Sequence, residues 1–189
     1  MPTTVDPPRK LWTRAEYEEL SSLFDGQRLE LIGGDLIDKM GKKRPHTNSL
    51  VLLQGWLIGV FGVRFVNPET PIDVAPEDNP STEPEPDLIV LKRDLSYFTS
   101  GNPQSDDLHL VVEVADSTLG FDLRTKAALY ARAGIVEYWV LDIAGRRMAV
   151  HRDPQGERYA SVAAYGAEES VAPLAAPDSL LRVGDAFLD

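Results

Sequence analysis

Residues 108–115 read LHLVVEVA, a near-continuous apolar run broken by one carboxylate, Glu113. A strand that is apolar on both sides must be covered on both faces. The segment therefore predicts a central strand in a sheet layered between other elements. DLIVL (87–91) precedes it and EYWVLD (137–142) follows it, both of strand character. Between the last two, DLRTKAALYARA (122–133) reads as a helix stopped by Gly134. A chain of 189 residues can bury such a core within one domain. Residues 1–12 are expected to form a flexible N-terminal arm and 13–189 one domain, with 163–189 as a C-terminal strand extension.

The remaining segments fill in this frame. Tyr17, Leu20 and Phe24 recur at helical spacing, and Thr13 and Glu16 stand at capping-box spacing, so a short helix is predicted over 13–24. In RLELIGGDLIDKM two alternating runs flank Gly33–Gly34, the pair a tight hairpin needs. Residues 45–63 are uncharged and mostly apolar, but their apolar core is shorter than the ~20 residues of a membrane span. A helix buried on nearly all sides is expected there, and its Gly55 and Gly59 carry little weight as a helix-pairing motif. Residues 64–75 read as one or two strands, followed by the Pro-rich acidic loop APEDNPSTEPEP. RRMAVHRD and RYASV are further strands. The order predicts an α+β fold, a mixed β-sheet flanked by helices. The alternating tail SLLRVGDAFL is expected to add an edge strand or cover the core, at a homodimer contact if one forms.

Composition narrows the chemistry. The chain has no cysteine and only three histidines, so thiolate sites are excluded and a zinc site is disfavoured. No GxSxG, GxGxxG, Walker A or HExxH motif occurs. MPTTVDPPRK lacks the apolar core of a secretory signal, so a cytoplasmic location is expected. The net charge of −11 is uneven. Residues 39–68 hold Lys39, Lys42, Lys43, Arg44 and Arg64 and no acid, whereas 69–91 hold acids alone. These blocks would form a basic and an acidic face, or two solvated loops.

What remains is a set of carboxylates in unusual places. Asp87 stands at the head of one strand and Glu113 late in another. If those strands pair antiparallel, the two acids converge. Two such carboxylates repel unless protonated or bridged by a cation. Hard oxygen donors without thiols favour Mg²⁺ or Mn²⁺. Lys126 shares a helix face with Leu123, Ala127 and Tyr130, so it points toward the sheet. A cation beside two metal-bridged carboxylates suits phosphodiester cleavage, where negative charge grows on the attacked phosphate. Plainer readings stand beside these. Glu113 would pair with an arginine, Asp87 would serve the turn after Pro86, and Lys126 would pair with Asp122 at i, i+4.

The series RLELIGGDLI, PEPDLIVL, VVEVADST and DLRTKAALYARAGIVEYWVLD resembles the Uma-two family of the restriction-endonuclease-like superfamily, over about residues 13 to 165. The resemblance implies that superfamily's fold and a metal-dependent endonuclease acting on nucleic acid, with DNA foremost. It implies Asp87 and Glu113 as metal ligands and Mg²⁺ (or Mn²⁺) as cofactor. The lysine of the superfamily's Glu-x-Lys pattern falls on Ala115 and is displaced to Lys126. Glu30 matches a further acidic position, and His46 a histidine at the start of the long helix. A catalytically silent interaction module of the same fold is the alternative, as is another phosphodiester substrate such as RNA.

Overall fold

The computed structural model describes residues 9–21, 23, 29–39 and 43–188. Phe24, Lys42 and the first eight residues of the expected arm lie outside these. Residues 9–12 run beside the hairpin, where the Trp12 N–H donates to the Gly34 carbonyl at 2.8 Å.

Helix α1 (Arg14–Ser21) opens on the capping box read from sequence. The Glu16 N–H donates to Thr13 Oγ1, and the Thr13 N–H donates to Glu16 Oε2 at 2.9 Å. Strands β1 (Leu29–Ile32) and β2 (Asp35–Asp38) form the hairpin, with φ of 57° at Gly33 and 82° at Gly34. A bridge from Leu31 to Glu83 fastens it to the Pro-rich loop. Then follow α2 (Arg44–Phe61), β3 (Val66–Pro68), β4 (Leu88–Leu91) and β5 (Leu108–Ala115). The expected one or two strands over 64–75 reduce to β3.

A helical stretch over 119–132 crosses from β5 to β6 (Glu137–Asp142), which pairs parallel to β5. β7 (Arg147–Gln155) and β8 (Arg158–Gly166) complete the sheet. Its strand order is β3–β4–β5–β6–β7–β8, antiparallel throughout except at β5–β6. This is the mixed sheet flanked by helices that the sequence predicts. Among the described residues no helix is long and apolar enough to cross a membrane.

β5 divides the core as its alternation requires. Leu110, Val112 and Val114 face Leu50, Leu53 and Leu57 of α2. Val111 and Ala115 face Ala127, Tyr130 and Ile135 on the other side. Glu113 lies between Val111 and Ala115 and so faces the crossover helix.

Three expectations are corrected. First, α2 is buried on one side rather than nearly all. His46, Leu50, Leu53 and Leu57 form the inner stripe, whereas Val51, Gly55 and Gly59 are exposed. An apolar, uncharged composition gives no polar face to mark the outer side. Second, the crossover helix is not regular. It runs as α3 (Leu119–Phe121), a π-helical turn (Asp122–Lys126) and α4 (Ala127–Arg132). Its i→i+5 turn rotates the inner face, so that Asp122 is buried and Leu123 only half-buried. Third, the charge blocks are not segregated. Lys39 of the basic block pairs with Glu85 of the acidic one at 3.6 Å.

The tail forms a small separate sheet, β9 (Ser170–Val171) with β10 (Leu181–Arg182). Val171, Leu181, Val183, Ala186 and Phe187 pack into the α2-side core. The tail thus covers the core, and the sheet's edge is β8.

Candidate active site

The register of β4 against β5 sets Leu88 opposite Val112, which carries Asp87 alongside Glu113. Asp87 is fixed there by the Val114 N–H, which donates to its Oδ2 at 2.8 Å. Above β5, the π turn delivers Lys126. Its Nζ donates to Glu113 Oε1 at 2.8 Å and lies 2.9 Å from Glu30 Oε2. Glu30 enters from β1 and also accepts the Glu85 N–H at 3.2 Å. His46, in the first turn of α2, places Nε2 3.6 Å from Asp87 Oδ1. Asp122 accepts from Thr118 Oγ1 at 2.6 Å.

The five candidates Glu30, His46, Asp87, Glu113 and Lys126, together with Asp122, line one cleft of about 110 Å³. All six are buried. The structural alternatives fare differently. Glu113 is held by a lysine rather than an arginine. The ion pairs of Lys126 go to Glu113 and Glu30, not to Asp122. Ala115 is fully buried, and Lys126 reaches the carboxylate beside it from the facing helix.

The electrostatics follow from crowding several carboxylates into a dry cleft. Burial pushes Glu113 up to about 8, with Lys126 opposing the shift and Asp87 and Asp122 adding to it. Burial likewise pushes Asp122 up to about 6, against the pull of Lys126 and Thr118. Burial alone would lower the Lys126 pKa, but Glu113, Glu30 and Asp122 outweigh it and hold the ammonium charged.

Sequence reasoning missed two contributors. The Tyr130 hydroxyl donates to Glu113 Oε1 at 3.0 Å, and its own pKa is raised well above normal by burial and by that carboxylate. Tyr130 was placed on the correct helix face, yet its hydroxyl read as part of an apolar stripe. Lys39 Nζ donates to the Glu85 carbonyl at the cleft wall. Its place just before Met40–Gly41 and the basic run 42–44 gave no sign of that.

A mixed sheet with carboxylates at the meeting of two antiparallel strands, faced by a lysine-bearing crossover helix, has the restriction-endonuclease-like architecture. The chain belongs to the Uma2 family, described as "Putative restriction endonuclease", which it matches over residues 14–183. Among solved structures it resembles one described as "a putative nuclease belonging to DUF820 from Anabaena variabilis ATCC 29413". That match has a TM-score of 0.69 at 18% identity and covers 93% of this chain and 97% of the other, a likeness of fold. No curated protein matches the chain.

Proposed function

We propose that this protein is a divalent-metal-dependent endonuclease that hydrolyses phosphodiester bonds, with DNA as its substrate. The observation that carries the reading is the position of Lys126, whose ammonium is buried against Glu113 in the cleft that Asp87 also lines. Among the described residues no group of three or more His, Asp or Glu side chains is arranged to hold a metal ion. The protein's share of a shell would then be Asp87 and Glu113 with a main-chain carbonyl near Val114, and water would supply the rest.

The donor set fits Mg²⁺ or Mn²⁺, being hard oxygen throughout. The charge balance fits as well. Asp87, Glu113, Glu30 and Asp122 crowd around Lys126 and Lys39, and Glu113 is driven toward protonation by burial, with Asp87 and Asp122 adding to the shift. Lys126 and Tyr130 both donate to Glu113 Oε1. A bound dication would lower the pKa of its water and offset charge on the phosphate, so no histidine base is needed. Lys126 would orient the attacking water or stabilise charge on the scissile phosphate. Glu30 fixes Lys126 from the far side. Lys43, exposed at the cleft rim, gives an incoming phosphate backbone its first cation.

Calorimetric titration with Mn²⁺ tests the reading. The wild-type chain should bind, and Asp87→Ala and Glu113→Ala should abolish binding while remaining folded. Metal affinity unchanged in both variants would leave a silent module of the same fold.

A further inference from the structure

Asp87, Glu113 and Lys126 are 3%, 4% and 2% exposed, at the bottom of a cleft of about 110 Å³. The lysines that line it are already engaged with the protein. Lys126 is held by Glu113 and Glu30, Lys39 by Glu85, and Lys43 by Asp116 at 3.3 Å. Binding to duplex DNA without regard to sequence comes from neutralising phosphates with cations, and this cleft has few to give. It offers an aromatic ring instead. Phe121 lines the cleft and is half-buried, as is Ile37 from the hairpin. Both pack against the core cluster on the crossover-helix side of β5, which holds the ring in place and leaves part of it open. Phe121 closes α3 and directly precedes the π turn that delivers Lys126, and its N–H donates to the Thr118 carbonyl at 2.7 Å.

We propose that the cleft takes an unpaired DNA strand, with a base next to the scissile phosphate stacked on Phe121. The proposal rests on the phosphodiesterase reading above and names the form of its substrate. A duplex carries its phosphates on the outside of a stiff rod, which does not bend one of them into a narrow cleft without deformation. Drawing a base out of that rod onto Phe121 also costs its stacking and pairing energy. An unpaired strand bears neither cost. It turns about its sugar–phosphate bonds, so the phosphate descends toward Glu113 and Lys126 while the base lies against the wall. Every base has a π face, so the contact tolerates any sequence.

Fluorescence anisotropy with a short labelled oligothymidylate tests this, in Ca²⁺, a hard cation that oxygen donors also take. The wild-type chain should bind the oligothymidylate more tightly than a blunt duplex of the same length. Phe121→Leu keeps an apolar side chain on the core beneath and should weaken strand binding by roughly 10- to 100-fold, the worth of one base stacked on an aromatic ring. Phe121→Trp should keep it. An abasic strand of equal length should bind weakly and alike to all three proteins. Calorimetric affinity for Mn²⁺ should also be alike in all three, since Phe121 supplies no ligand. With Mn²⁺ present, negatively supercoiled plasmid, in which strand separation is favoured, should be cut, and the same plasmid relaxed should resist. Equal affinity for duplex and single strand would overturn the proposal, as would wild-type strand binding by Phe121→Leu, a matching loss of Mn²⁺ affinity in that variant, or equal cleavage of relaxed plasmid. Strand binding that depends on Phe121 in a chain that takes up no Mn²⁺ would overturn the metal-dependent reading instead and leave the strand assignment standing.

Discussion

The ammonium of Lys126 lies 2.9 Å from a carboxylate oxygen of Glu30, joining the crossover helix to a hairpin far earlier in the chain. The same nitrogen bonds Glu113 at 2.8 Å, so one lysine ties hairpin, helix and central strand together at the cleft.

Lys126→Ala leaves Glu30 and Glu113 buried without their cation. Removing one member of a buried ion pair costs about 3–5 kcal/mol. Chemical denaturation should show a loss of that order, and phosphodiester cleavage should fall by roughly 10²–10³-fold, as for one preorganised charge-stabilising donor. Metal affinity should be retained or increased, because a nearby positive charge is gone. Lys126→Arg should not restore cleavage, since a planar guanidinium does not replace a compact ammonium between two carboxylates. Wild-type cleavage by Lys126→Ala would remove the lysine from the chemistry.

Tyr130→Phe removes one donor to Glu113 Oε1 and leaves the ring in place. The loss of this hydrogen bond should cost about 1 kcal/mol of stability. Cleavage should fall less than in Lys126→Ala, because Tyr130 acts only by orienting the carboxylate. A loss as large as that of Lys126→Ala would make the hydroxyl a direct participant.

Much of this site was legible in the residues themselves. A lone carboxylate in LHLVVEVA and an aspartate heading DLIVL converge because adjacent antiparallel strands bring the start of one beside the end of the other. Gly33–Gly34 and the Thr13–Glu16 box are local signals, and local signals survive folding. The partner of Lys126 was not legible. An i, i+4 aspartate stood four residues away, whereas Glu30 reaches the site through long-range ties of the hairpin to residues 81–85, among them the bridge of Leu31 to Glu83. The π turn also escaped, since DLRTK carries no mark of i→i+5 bonding, and with it the inward position of Asp122. Glu137 shows the limit from the other side. It is fully buried in an apolar strand like Glu113, yet Arg152, Trp139 Nε1 and the Leu174 N–H bind it. Only the geometry separates that structural carboxylate from the one in the cleft.

Asp122 gives stability a pH dependence of definite sign. Its folded pKa of about 6 lies above its ordinary value of 3.8, so between them the folded chain binds more protons than the unfolded chain. Its contribution is therefore most favourable below about pH 4 and is lost as pH rises toward 7. Asp122→Asn abolishes this term. In metal-free buffer, the variant's stability relative to wild type should improve from pH 4 to 7, by at most about 3 kcal/mol. His109 and His151, whose pKa values are lowered chiefly by burial, add an opposite slope common to both proteins. A difference that is flat with pH would contradict the assignment.

Deleting the residues after Ala175 strips Leu181, Val183, Ala186 and Phe187 from the α2-side core. The truncated chain should melt well below the full one and lose solubility, while any fraction that stays folded keeps its affinity for Mn²⁺. None of the deleted residues lines the cleft. A truncation as stable as the full chain would show that the tail does not cover the core in solution.

The central claim is that Asp87, Glu113 and Lys126 form a metal-dependent phosphodiesterase site, and cleavage of supercoiled plasmid by Glu113→Gln with Mg²⁺ or Mn²⁺ present tests it most directly. The substitution keeps the shape of the side chain and its contacts with Lys126 and Tyr130 within reach, but removes the charge that would hold the metal. The wild-type chain should nick and linearise the plasmid in a metal-dependent manner, and Glu113→Gln, folded to the same extent, should leave it supercoiled. Equal cleavage by both proteins, or none by the wild-type chain with either metal, would contradict the account.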